Sequence, residues 1–463
     1  MTVVGVDVAT AGVRAFAVGD DGSVRATASR PLPAPVRDES GRSEQDARSW
    51  WPAVEAVLQE VTASVPEPVR AVAVSATSGT IVAVDRRGEP LGPALMYDDR
   101  RGADDNVKAA EAGAPRWREL GMSVSPTAAL GRITWLRRAC PDAAGIRHTP
   151  DLIGEQLLGR PVATDSSHAL KSGYDPLREE WAAEVFDFDV AWLPQVVRPT
   201  TVLGELPRAV AGLPAGCLVV AGMTDGCAGQ LATGAVTPGS FAGILGTTYV
   251  LKGVTEQLVR DTSGALYSHR HPDGWWLPGG ASNTGGEAVS GVAGLAAMDS
   301  AAAKRGPARV VAYPLKRSGE RFPFVTPEAR GFVLGEPADE VELHRARLEG
   351  VAFVERLALE RLQGLGVPVT GPLVAAGGGS RSPLWTRIRA TVTGMELRVS
   401  PQAETGYGAA LLAAAAVLPG GLTEAAGMIS DEGQLIEPDP SEVEALEHSY
   451  QRFTEELKSR GWI

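Results

Sequence analysis

Cysteine is nearly absent: Cys140, Cys217 and Cys227 are the only three in 463 residues. An odd count at no metal-type spacing argues against a disulfide framework and predicts a reducing compartment, the cytoplasm. Histidine is sparse as well, at six, and His269 and His271 in "YSHRHPDGWW" lack a further ligand at metal spacing, so no zinc site is expected. Positive charge is also short. Lys and Arg number 44 against 56 Asp and Glu, a formal net charge of -12, which argues against a nucleic-acid partner, since that needs a basic face. No apolar run reaches the roughly 18 residues a membrane span requires. Residues 1–20 have no basic leading region and Asp7 interrupts their apolar run, so neither a membrane partner nor a signal peptide is expected.

What is present fits a globular chain, with 44% hydrophobic and 22% charged residues. Its length exceeds the usual limit of one core, so two domains are the starting expectation. The opening stretch "VVGVDVATAGVRAFAVGDDG" reads as two short β-rich runs joined by the small residues 9–12, a hairpin with Asp7 at its mouth. Small residues let the backbone approach an anion, and a carboxylate there can hold a hydrated cation; an ordinary hairpin with a solvent-facing aspartate explains the stretch equally well. The same idea returns in "GSFAGILGTTYVLKGV" (239–254), and the two hairpins point to a duplicated α/β architecture with a cleft between halves. A third small-residue turn follows the strand of "GPLVAAGGGSRSPLWTRIRATVTG" (371–394), with Pro383 in the first turn of the helix that follows.

Three such turns, each after a strand, are expected to touch one nucleotide. Thr10, Ala11 and Gly12 in the first hairpin, and Gly246, Thr247 and Thr248 in the second, are the candidate phosphate cradles. Gly377, Gly378, Gly379, Ser382 and Trp385 are candidates for the adenosine side; the alternatives there are a tight strand-to-helix turn and a core tryptophan. Asp225 ends the apolar strand of "CLVVAGMTDG" just before a small-residue helix. A carboxylate there can take a proton from a hydroxyl attacking a γ-phosphate, or it can simply cap the helix. "SATSGT" (75–80) and "MYDDRR" (96–101) offer Thr77, Ser78 and Tyr97 as a wall for a polyol, or else a strand-end turn and a solvated charge run.

The order and spacing of these elements resemble the FGGY carbohydrate kinases of the actin-like ATPase superfamily over nearly the whole chain. "GVDVATAGVRAFAVGDDG" and "LGTTYVL" look like the family's two phosphate hairpins, "EQDARSWW" like the segment before its first helix, "AGMTDGCAGQLATGAVTPG" like the stretch with its catalytic aspartate, and "AAGGGSRSPLWTRIRA" like its adenosine motif. The resemblance implies an α/β fold of two actin-like (ribonuclease H-like) domains with an interdomain catalytic cleft. Domain one is expected at 1–235 and domain two at 236–438, with a C-terminal helix (439–463) packing back near the first. It also implies ATP and Mg2+ as cofactors, Asp225 as catalytic base, Asp7 as metal and substrate residue, Gly378, Gly379, Ser382 and Trp385 at adenosine, and a small-molecule sugar partner for a monomer or homodimer. The segments "ATSGT", "ALMYDDRR", "HALKSGYD", "LYSHR" and "GGASNTGG" look closest to plant and cyanobacterial D-ribulose kinases. Xylulokinases usually carry Gln-Met-His where this chain has Thr77-Ser78-Gly79, and Trp where it has Tyr97. The implied reaction is therefore phosphorylation of a ketopentose, D-ribulose before D-xylulose or another polyol. A non-catalytic, nucleotide-dependent sensor on the same scaffold is the rival, and it draws on Ala9, which stands where the family usually has glycine.

Overall fold

A computed structural model describes residues 1–400, 402–429 and 433–463. In chain order the elements used below are β1 (Thr2–Ala9), β2 (Gly12–Gly19), β3 (Val24–Pro31), α1 (Trp50–Ala63), β4 (Val69–Ala76), β5 (Val202–Glu205), β6 (Leu218–Val220), α2 (Asp225–Ala232), β7 (Phe241–Leu245), β8 (Tyr249–Gly253), β9 (Trp276–Ala281), α3 (Leu295–Arg305), α4 (Glu340–Gly364), β10 (Leu373–Ala376), α5 (Pro383–Thr393), β11 (Leu397–Val399), α6 (Thr405–Ala415) and α7 (Val443–Ser459). They fall into two compact units, the first made of Met1–Val236, His269–Gly274 and Glu404–Ser430, the second of the rest.

The first unit is built on a six-stranded sheet in the order β5-β6-β4-β1-β2-β3. β1 is buried on both faces, which is why its Val3, Val4, Val6 and Val8 read as a near-continuous apolar run. It pairs antiparallel with β2 across a two-residue turn, Ala9 facing Gly12, and parallel with β4, Asp7 facing Ser75. On one side lies α1, whose Trp50, Val54, Val57, Leu58 and Val61 enter the core at helical spacing.

The second unit repeats the arrangement. β7 pairs antiparallel with β8 and parallel with β10, inside a seven-stranded sheet with the run β9-β8-β7-β10-β11. In both units, then, a hairpin lies beside a parallel strand that ends in a small-residue turn, Thr77-Ser78-Gly79 or Gly377-Gly378-Gly379. The core is densest along α4, where Leu348, Val351, Phe353 and Val354 are fully buried.

Two expected boundaries are corrected. Helix α7, expected near the first domain, packs within the second unit. Leu446, Tyr450, Phe453 and Leu457 form one stripe along it and join that unit's core, with Phe453 5.7 Å from Tyr313 and Tyr450 5.7 Å from Phe353 between ring centroids. Glu404–Ser430, expected in the second domain, belong to the first unit. The cause is the small-residue composition of α6, "TGYGAALLAAA", which lets backbone meet backbone. A Cβ at Gly5 would lie 2.0 Å from the Gly406 carbonyl oxygen, and one at Gly408 would lie 1.8 Å from that of Ala228. α6 therefore seats directly on β1 and α2.

Candidate active site

In the first unit the turn between β1 and β2 is fastened through its carbonyl groups. The side-chain amide of Gln45 donates to the Thr10 oxygen at 3.0 Å, and its own oxygen accepts from the Trp50 indole N–H at 2.8 Å. The Leu32 N–H donates to the Ala11 oxygen at 3.0 Å. A trans peptide points its N–H opposite its carbonyl, so the Ala11 N–H faces away from the Gln45 anchor, while Gly12 pairs with Ala9 in the β1–β2 ladder. Gly12 itself is required by β3, because a Cβ there would stand 2.7 Å from the Arg30 oxygen. Ala9 lies in regular β structure, and the positive-φ residues other than glycine among those described are Glu179 and Ala211. Its methyl group therefore imposes no backbone strain on the turn.

The second hairpin is anchored by the same logic. The Gly286 N–H donates to the Gly246 carbonyl at 2.8 Å, and the Glu287 N–H to that of Thr247 at 2.9 Å. This turns the Thr247 and Thr248 N–H groups the other way. Gly246 and Thr247 are exposed. The second turn thus turns the consecutive Thr247 and Thr248 N–H groups away from their anchors, and the first turn the Ala11 N–H, an arrangement able to hold an anion.

Asp7 lies at the end of β1, 1% exposed. Its Oδ2 accepts from the Arg14 guanidinium at 2.9 Å, and Arg14 also reaches Glu404 at 2.6 Å. Its Oδ1 is buried and meets no partner among the described residues. Burial pushes the Asp7 carboxyl up to about 6; Arg14 works against the shift, and the nearby negative charges of Asp225 and Glu404 add to it. The hydroxyls of Ser75, Ser78 and Thr80, on β4 and the turn after it, are also buried without a partner, and Ser75 pairs with Asp7 in the β-ladder. Thr77 is tied to β1 through its N–H, which donates to the Val8 carbonyl at 3.3 Å.

Asp225 is the first residue of α2. The cap position is Thr224, one residue earlier, so the capping explanation falls to the neighbour. The Asp225 carboxylate accepts from the Gly226 N–H at 2.7 Å and is partly exposed. Its approach is braced by residues that sequence reasoning missed. The Thr224 N–H donates to Ser167 Oγ at 2.9 Å, and Ser167 Oγ donates to Asp165 at 2.5 Å. Asp165 also holds the fully buried His168 ring at 2.5 Å. Burial disfavours the charge on His168, but the Asp165 carboxylate outweighs it and, with Asp151 and Asp225, holds its pKa above the usual histidine value. The Asp-Ser-Ser-His string at 165–168 carries an N-cap pattern, yet nothing local ties it to residue 224.

The remaining expected residues separate. The half-exposed Tyr97 stands free of the charge run beside it, which is internal bracing and not a solvated face: Asp99 is buried and accepts from the Ser43 N–H and from Arg101, and Asp98 accepts from Ser43 Oγ. Gly377 takes a positive φ and packs on the Leu245 carbonyl, Gly379 packs on the Leu245 side chain, and Gly378 alone of the three faces open space. Ser382 caps α5 by accepting from the Trp385 N–H, and donates to Asp299 of α3 at 2.6 Å. Trp385 is corrected from a base-flanking residue to a core residue. It is 3% exposed, and its indole N–H donates to the Leu348 carbonyl at 3.0 Å. Trp385→Phe is expected to cost about 1–3 kcal/mol of stability in a thermal melt while leaving ATP affinity by titration calorimetry within about twofold. A large affinity loss at unchanged stability would return the residue to the adenosine site.

Residues 2–232 match the N-terminal domain of the FGGY family of carbohydrate kinases and residues 217–417 match its C-terminal domain. A xylulose kinase of Streptomyces rubiginosus is 31% identical over 452 residues, covering 93% of this chain and 88% of that protein. One of Escherichia coli K12 is 26% identical, covering 90% of each. The crystal structure of xylulose kinase from Rhodospirillum rubrum superposes with a TM-score of 0.88 at 26% identity, covering 99% of both chains. With both domain types matched in order and a relative this similar along almost its whole length, the chain belongs to the FGGY family of carbohydrate kinases, sugar phosphotransferases.

Proposed function

We propose that the chain transfers the γ-phosphoryl group of ATP to the terminal hydroxyl of a ketopentose, with D-ribulose as its preferred substrate. The observation that carries this reading is a set of buried oxygens on β1, β4 and the turn after β4 that meet no partner among the described residues, namely Asp7 Oδ1 and the hydroxyls of Ser75, Ser78 and Thr80. Buried polar atoms are normally paired, so four left unpaired along this stretch suit a polyhydroxylated ligand. D-Ribulose is preferred over D-xylulose because Thr77, Ser78 and Tyr97 stand where xylulokinases usually present Gln-Met and Trp. D-Xylulose is the second reading, favoured by the names of the relatives above.

In this reading the first unit holds the sugar and the base. Asp225 takes the proton from the terminal hydroxyl as that oxygen bonds to the γ-phosphorus, and the bond to the bridging β–γ oxygen breaks to leave ADP. The outward N–H groups of the 246–248 turn receive phosphate oxygens as charge develops. Asp7 Oδ1, anionic and unpaired, suits a hydrated Mg2+, which when bound would neutralise phosphate charge. The test is ADP release with Mg-ATP across D-ribulose, D-xylulose, L-ribulose, ribitol and glycerol, against a sugar-free control. The expected result is the highest kcat/KM on D-ribulose. A higher value on D-xylulose would overturn the reading of Thr77, Ser78 and Tyr97, and failure of every sugar despite ATP binding would point to the sensor.

A further inference from the structure

The second unit carries a cavity of about 540 Å3 whose lining includes Lys316, Arg317, Arg330 and Arg347 and no carboxylate, with Phe332 and Tyr313 as its aromatic wall. Four cations on one cavity are unexpected in a chain of net charge -12, since like charges gathered in a concave surface repel one another and focus the field. Their partners within the fold are mostly neutral. Lys316 Nζ donates to Ser290, to Oγ at 2.8 Å and to the carbonyl at 3.1 Å. Arg330 donates to the Ala329 and Pro327 carbonyls. Arg317 alone has a carboxylate, that of Glu287 at 2.8 Å. Arg347, partly buried on α4, has no hydrogen-bond or ion-pair partner among the described residues. Three positive charges are thus left uncompensated on one wall, and guanidinium groups are the natural recognisers of phosphate oxygens. The volume falls within the usual range of small-molecule sites, about 300–1,000 Å3.

The cavity is also wired to the second hairpin. Glu287, which neutralises Arg317 through its side chain, holds the Thr247 carbonyl with its backbone N–H. Ser290, which receives Lys316, closes the same short 3-10 turn, with its own N–H on the Glu287 carbonyl. An anion that drew Arg317 and Lys316 into the cavity would release both ends of the segment that fixes the phosphate turn. We infer that this cavity binds a phosphate dianion, free or carried on a small metabolite, and that its occupation weakens the hold of the 246–248 turn on nucleotide. The second clause rests on the reading of that turn as a nucleotide-phosphate cradle.

Titration calorimetry tests this at fixed ionic strength, with inorganic phosphate and a pentose 5-phosphate as separate probes. The titrand is the wild-type chain, the Arg330→Gln/Arg347→Gln variant, or Arg347→Gln alone should the double variant fail to fold by circular dichroism. Saturable phosphate binding is expected, weakened at least about tenfold in the variant, with the variant's own ATP affinity unchanged. Bound phosphate should raise the apparent Kd for ATP in the wild type and not in the variant. Tighter binding of the pentose phosphate than of inorganic phosphate would assign the site to an ester, and equal binding to the free ion. Absence of saturable binding, or equal binding by wild type and variant, overturns the site. An unchanged ATP affinity with phosphate bound overturns the coupling. Failure to bind ATP at all indicts the functional reading instead of the cavity.

Discussion

Asp225→Asn is expected to lower kcat by about 10²–10⁴-fold, the usual worth of a positioned general base, equivalent to about 2.7–5.5 kcal/mol of barrier. Asparagine keeps the size of the side chain and can still accept the Gly226 N–H that Asp225 receives at 2.7 Å. Thr224 keeps the cap position of α2, and the Ser167–Asp165 brace behind it is untouched. The KM for sugar and the Kd for ATP should therefore stay within a few-fold, and the melting temperature should not fall. Removing a negative charge that disfavours ionisation of Asp7 works, if anything, toward stability. Single-turnover kinetics with saturating Mg-ATP separate the chemical step from product release. A variant that phosphorylates at more than a tenth of the wild-type rate would exclude Asp225 as the base, whatever the fate of the rest of the site.

The hairpins were legible because their signal is local. In "VVGVDVATAGVRAFAVG" the β-branched run, the small turn and the second run lie within one window, and β1, its two-residue turn and β2 follow that order residue by residue. The strand before Asp225 was legible for the same reason, but it stops at Val220, and Asp225 opens the helix instead of ending the strand. What escaped reading depends on contacts between distant segments. The Arg14–Asp7–Asp225 electrostatic group joins three elements, and the Asp165–Ser167 brace meets Thr224 some 57 residues later. The place of α6 was hidden because small residues signal close approach without naming the surface approached; only the fold shows Gly406 on Gly5 and Gly408 on Ala228. Trp385 misled because an amphipathic side chain next to a glycine-rich turn suits a base-stacking role as well as a core one, and burial alone decides between them. Ala9, which stands where the family usually has glycine, lies in regular β geometry and puts no torsional strain on the turn.

Asp7→Asn is expected to abolish turnover and, at the same time, stabilise the protein at neutral pH. The structure holds the Asp7 carboxylate in a buried place that raises its pKa to about 6 from 3.8, so ionising it in the folded chain costs up to about 3 kcal/mol relative to the unfolded chain. The sign follows from proton binding. The folded state holds this proton more tightly, so wild-type stability contributed by Asp7 is lowest above pH 6 and rises as pH falls from about 6 toward about 4. Asparagine resembles the protonated acid, so the variant should melt higher than the wild type at pH 7–8, and the gap should close as pH drops through that window. Activity moves the other way, because the anionic Oδ1 is the atom suited to a hydrated cation. Wild-type kcat/KM should fall as pH drops through about 6, while the variant loses at least about a hundredfold at every pH. This pairing of higher stability with lost activity is the signature of a group kept charged for chemistry at the expense of the fold. Denaturant melts of both proteins at pH 5 and pH 8 read it directly. A gap that fails to widen between pH 5 and pH 8 would mean that Asp7 is not held above its ordinary pKa, and a variant with near-normal turnover would remove Asp7 from the catalytic site.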